Sequence, residues 1–187
     1  MSERIVFVNG DYISASQAKL SIFDRGLLFA DAVYEGFGIL DGEIVDFIYH
    51  VQRLERSLNE LAIPMNFTVD EIYQTLMQLI SKNETINGFL YLHVTRGEGD
   101  RAFPYHDKYK PNVFAFTQGE KFRADGVVPV IELVTYPDLR WARRDIKSTN
   151  LLAQVMAKHS ASQSGAFEAL MIDNSGFVTE AGSSSFF

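Results

Sequence analysis

Hydrophobic and polar positions change period several times along the chain, and each change marks an element. Ile5-Val6-Phe7-Val8 is a short apolar run that meets the turn residues Asn9-Gly10-Asp11 and resumes at Tyr12-Ile13, which predicts a hairpin. Residues 33–40 and 43–47 around Asp41-Gly42 predict a second one. Between them, residues 23–31 are punctuated by glycine and fit neither period. From Ile48 the period turns helical. Phe47, Val51, Leu54, Leu58 and Leu61 share a face, and Pro64 lies just past the end. Thr68 with Glu71 forms a capping box that opens a second helix, whose apolar face is Ile72, Leu76, Leu79 and Ile80. Residues 88–96 alternate as a strand, with Phe89, Tyr91 and His93 on one face and Leu90, Leu92 and Val94 on the other. Residues 97–111 form a polar loop, and 112–117 another strand.

The polar stretch 118–126 reads as a linker between strands. It separates a small N-terminal α+β domain, residues 1–117, from a second domain that starts at 127 and runs to 187. In that second part, 127–135 is strand-like. Thr149 or Asn150 is expected to cap a helix running to about Gln163, with Leu151, Leu152, Val155, Met156 and His159 on one side. Residues 167–172 and 177–180 around Asp173-Asn174-Ser175-Gly176 predict a further hairpin. The overall pattern is α+β. The ending Ser183-Ser184-Ser185-Phe186-Phe187 reads like the middle of a longer segment, so a truncated second domain is expected.

Composition narrows the function classes. The chain has 187 residues, 47% of them hydrophobic, with a mean hydropathy of −0.03, which argues against both disorder and a membrane protein. No apolar run approaches the roughly 20 residues of a membrane span. The N-terminal residues show no secretory pattern. With 17 basic and 24 acidic residues the net charge is −7, which disfavours nucleic-acid binding. The absence of cysteine excludes disulfides, thiol catalysis and cysteine metal sites, and is compatible with the cytoplasm. Phosphate-loop, G-x-G-x-x-G, H-E-x-x-H and G-x-S-x-G motifs are absent, and histidines 50, 93, 106 and 159 lack paired ligand spacing, so no metal site is expected.

Four residues remain as candidates for chemistry. Lys147 follows three arginines and one acid at an expected strand-to-helix junction; nearby cations and burial lower a lysine's pKa toward the neutral amine that Schiff-base chemistry needs. Glu180 follows an apolar strand and enters a Gly/Ser-rich turn, where it could meet a cationic ring nitrogen. Arg53 lies mid-helix, and Arg101 sits in the long loop within reach of a ligand carboxylate. Read one at a time, each is more simply a solvated surface group.

Read together they form a pattern. Residues 24–35, Asp-Arg-Gly-Leu-Leu-Phe-Ala-Asp-Ala-Val-Tyr-Glu, resemble the D-R-G-(F/L)-x-(F/Y)-G-D-G-(V/A)-(Y/F)-E signature of fold-type IV pyridoxal-phosphate (PLP) enzymes. His50-Val51-Gln52-Arg53-Leu54 is similar to that family's H-x-x-R-L helix. Residues 144–152, Arg-Asp-Ile-Lys-Ser-Thr-Asn-Leu-Leu, resemble the lysine segment of D-amino-acid aminotransferases, and residues 178–185 resemble their V-T-E-G-S-S-S-N. The four motifs keep the family's order and spacing over essentially the whole chain.

The resemblance implies a two-domain fold-type IV enzyme with 127–187 as the start of the PLP-binding domain. Lys147 would form the Schiff base with PLP and carry the proton of the reaction. Glu180 would pair with the pyridine nitrogen and Arg53 would hold the phosphate. Tyr34 would line the site beside Lys147, and Arg101 would bind the substrate carboxylate. Phe103 stands where the D-amino-acid enzymes carry histidine, which leaves His106 as a substitute. Ala30, Ala32, Gly36 and Ser185 also depart from the pattern. The implied activity is transamination between a D-amino acid and 2-oxoglutarate or pyruvate in a homodimer. The rivals are 4-amino-4-deoxychorismate lyase, then branched-chain aminotransferase, then an inactive fragment or PLP-free interaction domain.

Overall fold

The structure is a computed structural model that describes residues 3–106, 108–119 and 129–186. The described residues pack into two compact units, one of residues up to 119 with 145–149, the other of 129–144 with 150–186.

The first unit begins with the expected hairpin, β1 (Ile5–Val8) and β2 (Asp11–Ser14), whose turn residues Asn9 and Gly10 take φ of 50° and 107°. Residues 23–31 resolve into a single short helix, α1 (Arg25–Phe29). Asp24 caps it by accepting from the Gly26 amide at 2.7 Å, and Ala30 closes it in the left-handed region at φ 54°. The second hairpin is β3 (Ala32–Leu40) and β4 (Glu43–Ile44). Its return strand is shorter than 43–47: Asp46 takes φ 53° and turns the chain, so Phe47 already belongs to helix α2 (Phe47–Glu60). Helix α3 (Val69–Lys82) starts on the expected capping box and buries Ile72, Leu76, Leu79 and Ile80. Strands β5 (Gly88–Thr95) and β6 (Val113–Gly119) complete an antiparallel sheet of order β2-β1-β6-β5-β3-β4. Helices α2 and α3 cover the face presented by Leu90, Leu92 and Val94, and these residues share one core with Val51, Leu54, Leu58 and Leu76.

The expected linker falls partly in β6, which ends at Gly119, and its residues 120–126 lie outside the described residues. The strand expected over 127–135 is β7 (Leu133–Pro137); residues 127 and 128 lie outside the described part. In this second unit β7 pairs in parallel with β8 (Glu168–Ile172) across helix α4 (Leu152–Gln163), and β8 pairs antiparallel with β9 (Val178–Ala181).

Two expectations for α4 are corrected. Neither Thr149 nor Asn150 caps it: the N-cap is Leu151, and the Thr149 hydroxyl instead donates to the Ala30 carbonyl. The buried residues of the helix are Ala157 and Ala161, packed with Ala169 and Met171, while Leu152, Val155 and Met156 are exposed. Small residues let the helix lie close to the strands, so volume rather than hydrophobicity chose the face.

Candidate active site

Lys147 is placed by a short segment that returns to the first unit. The edge of β3 is free of β4 at its N-terminal end, because β4 pairs only with Ile39 and Leu40. Residues 147–149 take that edge: the Tyr34 amide donates to the Lys147 carbonyl at 3.0 Å, and the Thr149 amide donates to the Ala32 carbonyl at 3.1 Å. Four more contacts hold the segment. Arg56 donates to the Asp145 carbonyl at 2.6 Å and to its carboxylate at 2.8 Å. Ile146 is buried in the core. The Lys147 amide donates to Ser57 Oγ at 3.2 Å, and Ser57 is fully buried on α2. The lysine that sequence order put with the second domain is therefore fixed by the sheet and helix of the first unit.

Its amine donates to the Tyr34 hydroxyl at 3.3 Å and lies 4.4 Å from the centre of the Tyr34 ring. Among the described residues Tyr34 is its hydrogen-bonding partner and no carboxylate pairs with it. The arginines that precede it in sequence have other partners: Arg140 and Arg144 pair with Asp138 at 2.9 and 3.5 Å. The hydrogen bonds from Arg140 hold Asp138 far below the usual carboxylate range.

Tyr34 opens an aromatic row on the sheet face away from α2 and α3. It stacks on Tyr91 at 5.4 Å, Tyr91 stacks on Phe116 at 5.1 Å, and His93 stacks on Phe114 at 4.4 Å. Burial pushes the Tyr91 phenol up and the His93 imidazole down to about 4, so both are neutral near pH 7. Gly36 sits in this row beneath Phe89; a Cβ there would meet that ring at 2.6 Å.

Arg53 is occupied more heavily than its expected role required. Its Nε and Nη2 donate to Glu35 at 2.8 and 2.7 Å, and His50 Nδ1 lies 2.8 Å from the same carboxylate. Glu35 is fully buried on the helix-facing side of β3, whereas Arg53 is 46% exposed. Burial alone would raise the Glu35 pKa, and the bonds from Arg53 and His50 outweigh it and hold it below the usual value. The pair uses one edge of the guanidinium and leaves Nη1 outside it. The sequence pattern assigns neither Glu35 nor His50 a role in the site. The spacing of His50 and Arg53, three apart on α2, was the signal that both face one group.

Glu180 lies on β9 in the second unit, where its Oε1 accepts from the amides of Ala181 and Phe186 at 3.1 and 3.2 Å. The serines that follow it turn to a carboxylate the sequence reading missed. Ser183 and Ser184 hydroxyls donate to Glu168 at 2.7 and 2.8 Å, and Lys158 donates at 3.0 Å. Burial opposes ionisation of Glu168, yet the bonds from Ser183, the Ala169 amide, Lys158 and Ser184 bring its pKa down to about 2. Arg101 is exposed, with its guanidinium 5.4 Å from the Phe29 ring and 5.6 Å from the Phe103 ring. His106 is exposed beside Tyr109 at 6.1 Å. Within the first unit the structure brings Lys147 to Tyr34 and Arg53 to Glu35, and it gives Arg101 and His106 no hydrogen bond to either pair.

These motifs have close counterparts among known proteins. The family model for class IV amino-transferases matches residues 32–187, and the chain belongs to that family. It is 35% identical over 181 residues to a D-alanine aminotransferase of Staphylococcus epidermidis, covering 96% of this chain and 64% of the relative. It is 39% identical over 183 residues to the D-alanine aminotransferase of Bacillus licheniformis, covering 96% and 63%. The solved branched-chain amino acid aminotransferase of Escherichia coli superposes with a TM-score of 0.85 at 19% identity, covering 97% of this chain and 63% of that one. The chain thus spans less than two thirds of the length of these relatives. Class IV aminotransferases depend on PLP, and the fold is fold type IV. No helix among the described residues is long and apolar enough to cross a membrane.

Proposed function

We propose that the chain acts in PLP-dependent transamination, moving an amino group between a D-amino acid such as D-alanine and a 2-oxo acid, 2-oxoglutarate or pyruvate. The observation that carries the reading is the amine of Lys147, clasped onto the open edge of β3 with a hydroxyl rather than a carboxylate as its partner. The amine rests on a phenol hydroxyl and an aromatic ring, with no carboxylate among the described residues to tie it down, which suits a group that must reach a carbonyl carbon. The D-alanine aminotransferase relatives support the substrate class.

The donor set suits PLP. The first unit holds an uncommitted primary amine and an arginine with one guanidinium nitrogen outside its ion pair; the second, by itself, holds a carboxylate on β9. Bound PLP supplies an electron sink for the pair of electrons left at the substrate α-carbon. Lys147 would hold the cofactor and would move the proton at that carbon. Tyr34 orients the lysine amine and shields it from water with its ring. Arg53 Nη1 is the donor left for the phosphate, while Glu35 keeps the guanidinium plane fixed. Glu180 would balance the charge of the pyridine nitrogen, and Arg101 would take the substrate carboxylate. In this reading residues 1–117 form the small domain and 127–187 belong to the PLP-binding domain, with 145–149 docked back on the first. A cytoplasmic homodimer belongs to the same proposal, supported by the family resemblance and the cysteine-free sequence.

One observation favours a second reading, 4-amino-4-deoxychorismate lyase. Phe103 replaces the histidine beside Arg101, its ring rests on Phe29 at 5.5 Å, and its carbonyl accepts from Arg25. The two activities separate by product. Full-length protein loaded with PLP and given D-alanine plus 2-oxoglutarate forms D-glutamate if the primary reading is right. Formation of 4-aminobenzoate from aminodeoxychorismate with no D-glutamate replaces it with the lyase.

A further inference from the structure

We propose that Asp24 and Arg25 are positioning residues for the loop between β5 and β6, fixing the segment that carries Arg101 and so setting the affinity for a substrate carboxylate. The functional half of the inference rests on the role proposed for Arg101; the structural half stands on geometry alone.

Asp24 ties the mouth of the loop. It is 2% exposed, and its Oδ2 accepts from Thr95 Oγ1 and from Asn112 Nδ2, each at 2.7 Å. Thr95 ends the strand that enters the loop and Asn112 precedes the strand that leaves it. One carboxylate thus closes both ends, while its other oxygen caps α1. Gly97 fits because its φ is 104° and a Cβ there would collide with the Lys110 carbonyl across the loop.

Arg25 holds the middle of the loop. Its amide donates to the Gly97 carbonyl at 2.8 Å. Its guanidinium is buried and its donors are spread over three acceptors: Nε to Asp31 at 2.8 Å, Nη1 to the Ala102 carbonyl at 2.6 Å, and Nη2 to the Phe103 carbonyl at 3.1 Å. These carbonyls follow Arg101 directly. A planar fork on two successive carbonyls fixes the peptide between them, and with it the direction in which Arg101 leaves the chain. Asp31 is shared with buried Arg96, which donates to the carbonyls of Leu61 and Ala62 beyond α2 and so anchors the network to the core. Phe29 adds a wall: its ring lies 4.7 Å from the Arg25 guanidinium and 5.4 Å from that of Arg101.

Arg101 itself is exposed and lies beside two rings, with no hydrogen bond or ion pair among the described residues to hold it ready. A loose loop would have to be ordered at each binding event, and that ordering cost subtracts from affinity. Asp24, Arg25 and Asp31, motif letters with no role in the sequence reading, take this cost at folding instead.

The test uses the full-length, PLP-loaded protein and the variants Arg25→Lys, Arg25→Ala, Arg101→Ala and Arg25→Ala/Arg101→Ala. Arg25→Lys keeps the charge and loses the fork, so it carries the test if Arg25→Ala does not fold. Either Arg25 variant is expected to raise KM for both substrates about tenfold, with kcat within about threefold and an unchanged cofactor absorbance band. The double variant is expected to be no worse than Arg101→Ala within about twofold, because Arg25 acts through Arg101. Hydrogen exchange of the amides at 99–103 is expected to accelerate at least about tenfold in the Arg25 variants. Unchanged exchange overturns the positioning role, even if the wild-type protein fails to turn over D-alanine and only the proposed function falls. Multiplying KM effects in the double variant overturn the action through Arg101.

Discussion

Removing Arg53 costs more stability than removing the charge of its partner. Glu35 has no exposed surface, whereas Arg53 is 46% exposed. In Glu35→Gln the arginine turns back to water and the isosteric amide keeps contact with His50. Solvent near Arg53 screens the lost pair, so the cost is about 1–2 kcal/mol. In Arg53→Ala a carboxylate stays buried with the His50 ring as its remaining side-chain partner among the described residues. The cost of stranding a buried charge is about 3 kcal/mol or more at pH 8, before the carboxyl takes up a proton. The pH dependence follows from sign. In the native protein Glu35 has a lowered pKa, so its contribution is present above 4.5 and fades as pH falls below that. Without Arg53, burial raises its pKa above the unfolded value, so the penalty is largest at high pH and shrinks as pH falls. Urea denaturation at pH 8 and pH 5.5 measures both. Arg53→Ala should be the less stable variant at pH 8 and should recover toward the wild type at pH 5.5. The double variant should match Glu35→Gln within about 0.5 kcal/mol. Equal losses for the two single variants, independent of pH, would refute the reasoning.

Two further outcomes follow from the same structure. His93 has its pKa lowered to about 4 by burial, so the unfolded chain binds more protons between pH 6.5 and 4 and stability falls with pH through that window. The loss approaches about 3 kcal/mol at most, and His93→Gln should flatten the urea midpoint between pH 6.5 and 5. Ile146→Ala empties a core position next to Lys147; it should cost about 2–4 kcal/mol in urea unfolding and loosen hydrogen exchange at the Thr149 amide.

Much of the first unit was legible in the sequence because local rules and tertiary packing agreed there. The turn pairs Asn9-Gly10 and Asp41-Gly42 supply the left-handed residues that the hairpins need, and the α3 face was read residue for residue. Where the rules diverged, packing won. Leu152, Val155 and Met156 share one side of α4, yet the residues it buries are Ala157 and Ala161, packed with Ala169 and Met171. Thr149 looked like a cap, but its amide and hydroxyl are spent on Ala32 and Ala30. The candidate site divides in the same way. Residue identities were visible as motif letters, but which letter touches which depends on contacts between distant residues, 90 apart for Lys147 and Ser57 and 113 apart for Lys147 and Tyr34. No periodicity carries that. The Glu35–Arg53 pair and the Arg25 clamp became visible only once the strands and helices were placed.

Lys147 is the residue proposed to hold the cofactor, and labelling tests this directly. Full-length protein incubated with PLP, reduced with borohydride, digested and mapped by mass spectrometry should carry the pyridoxyl group on the peptide containing Lys147. Lys147→Ala should carry none and lose the visible absorbance that survives dialysis. A label on another lysine, or wild-type protein that stays colourless and unlabelled, would contradict the account.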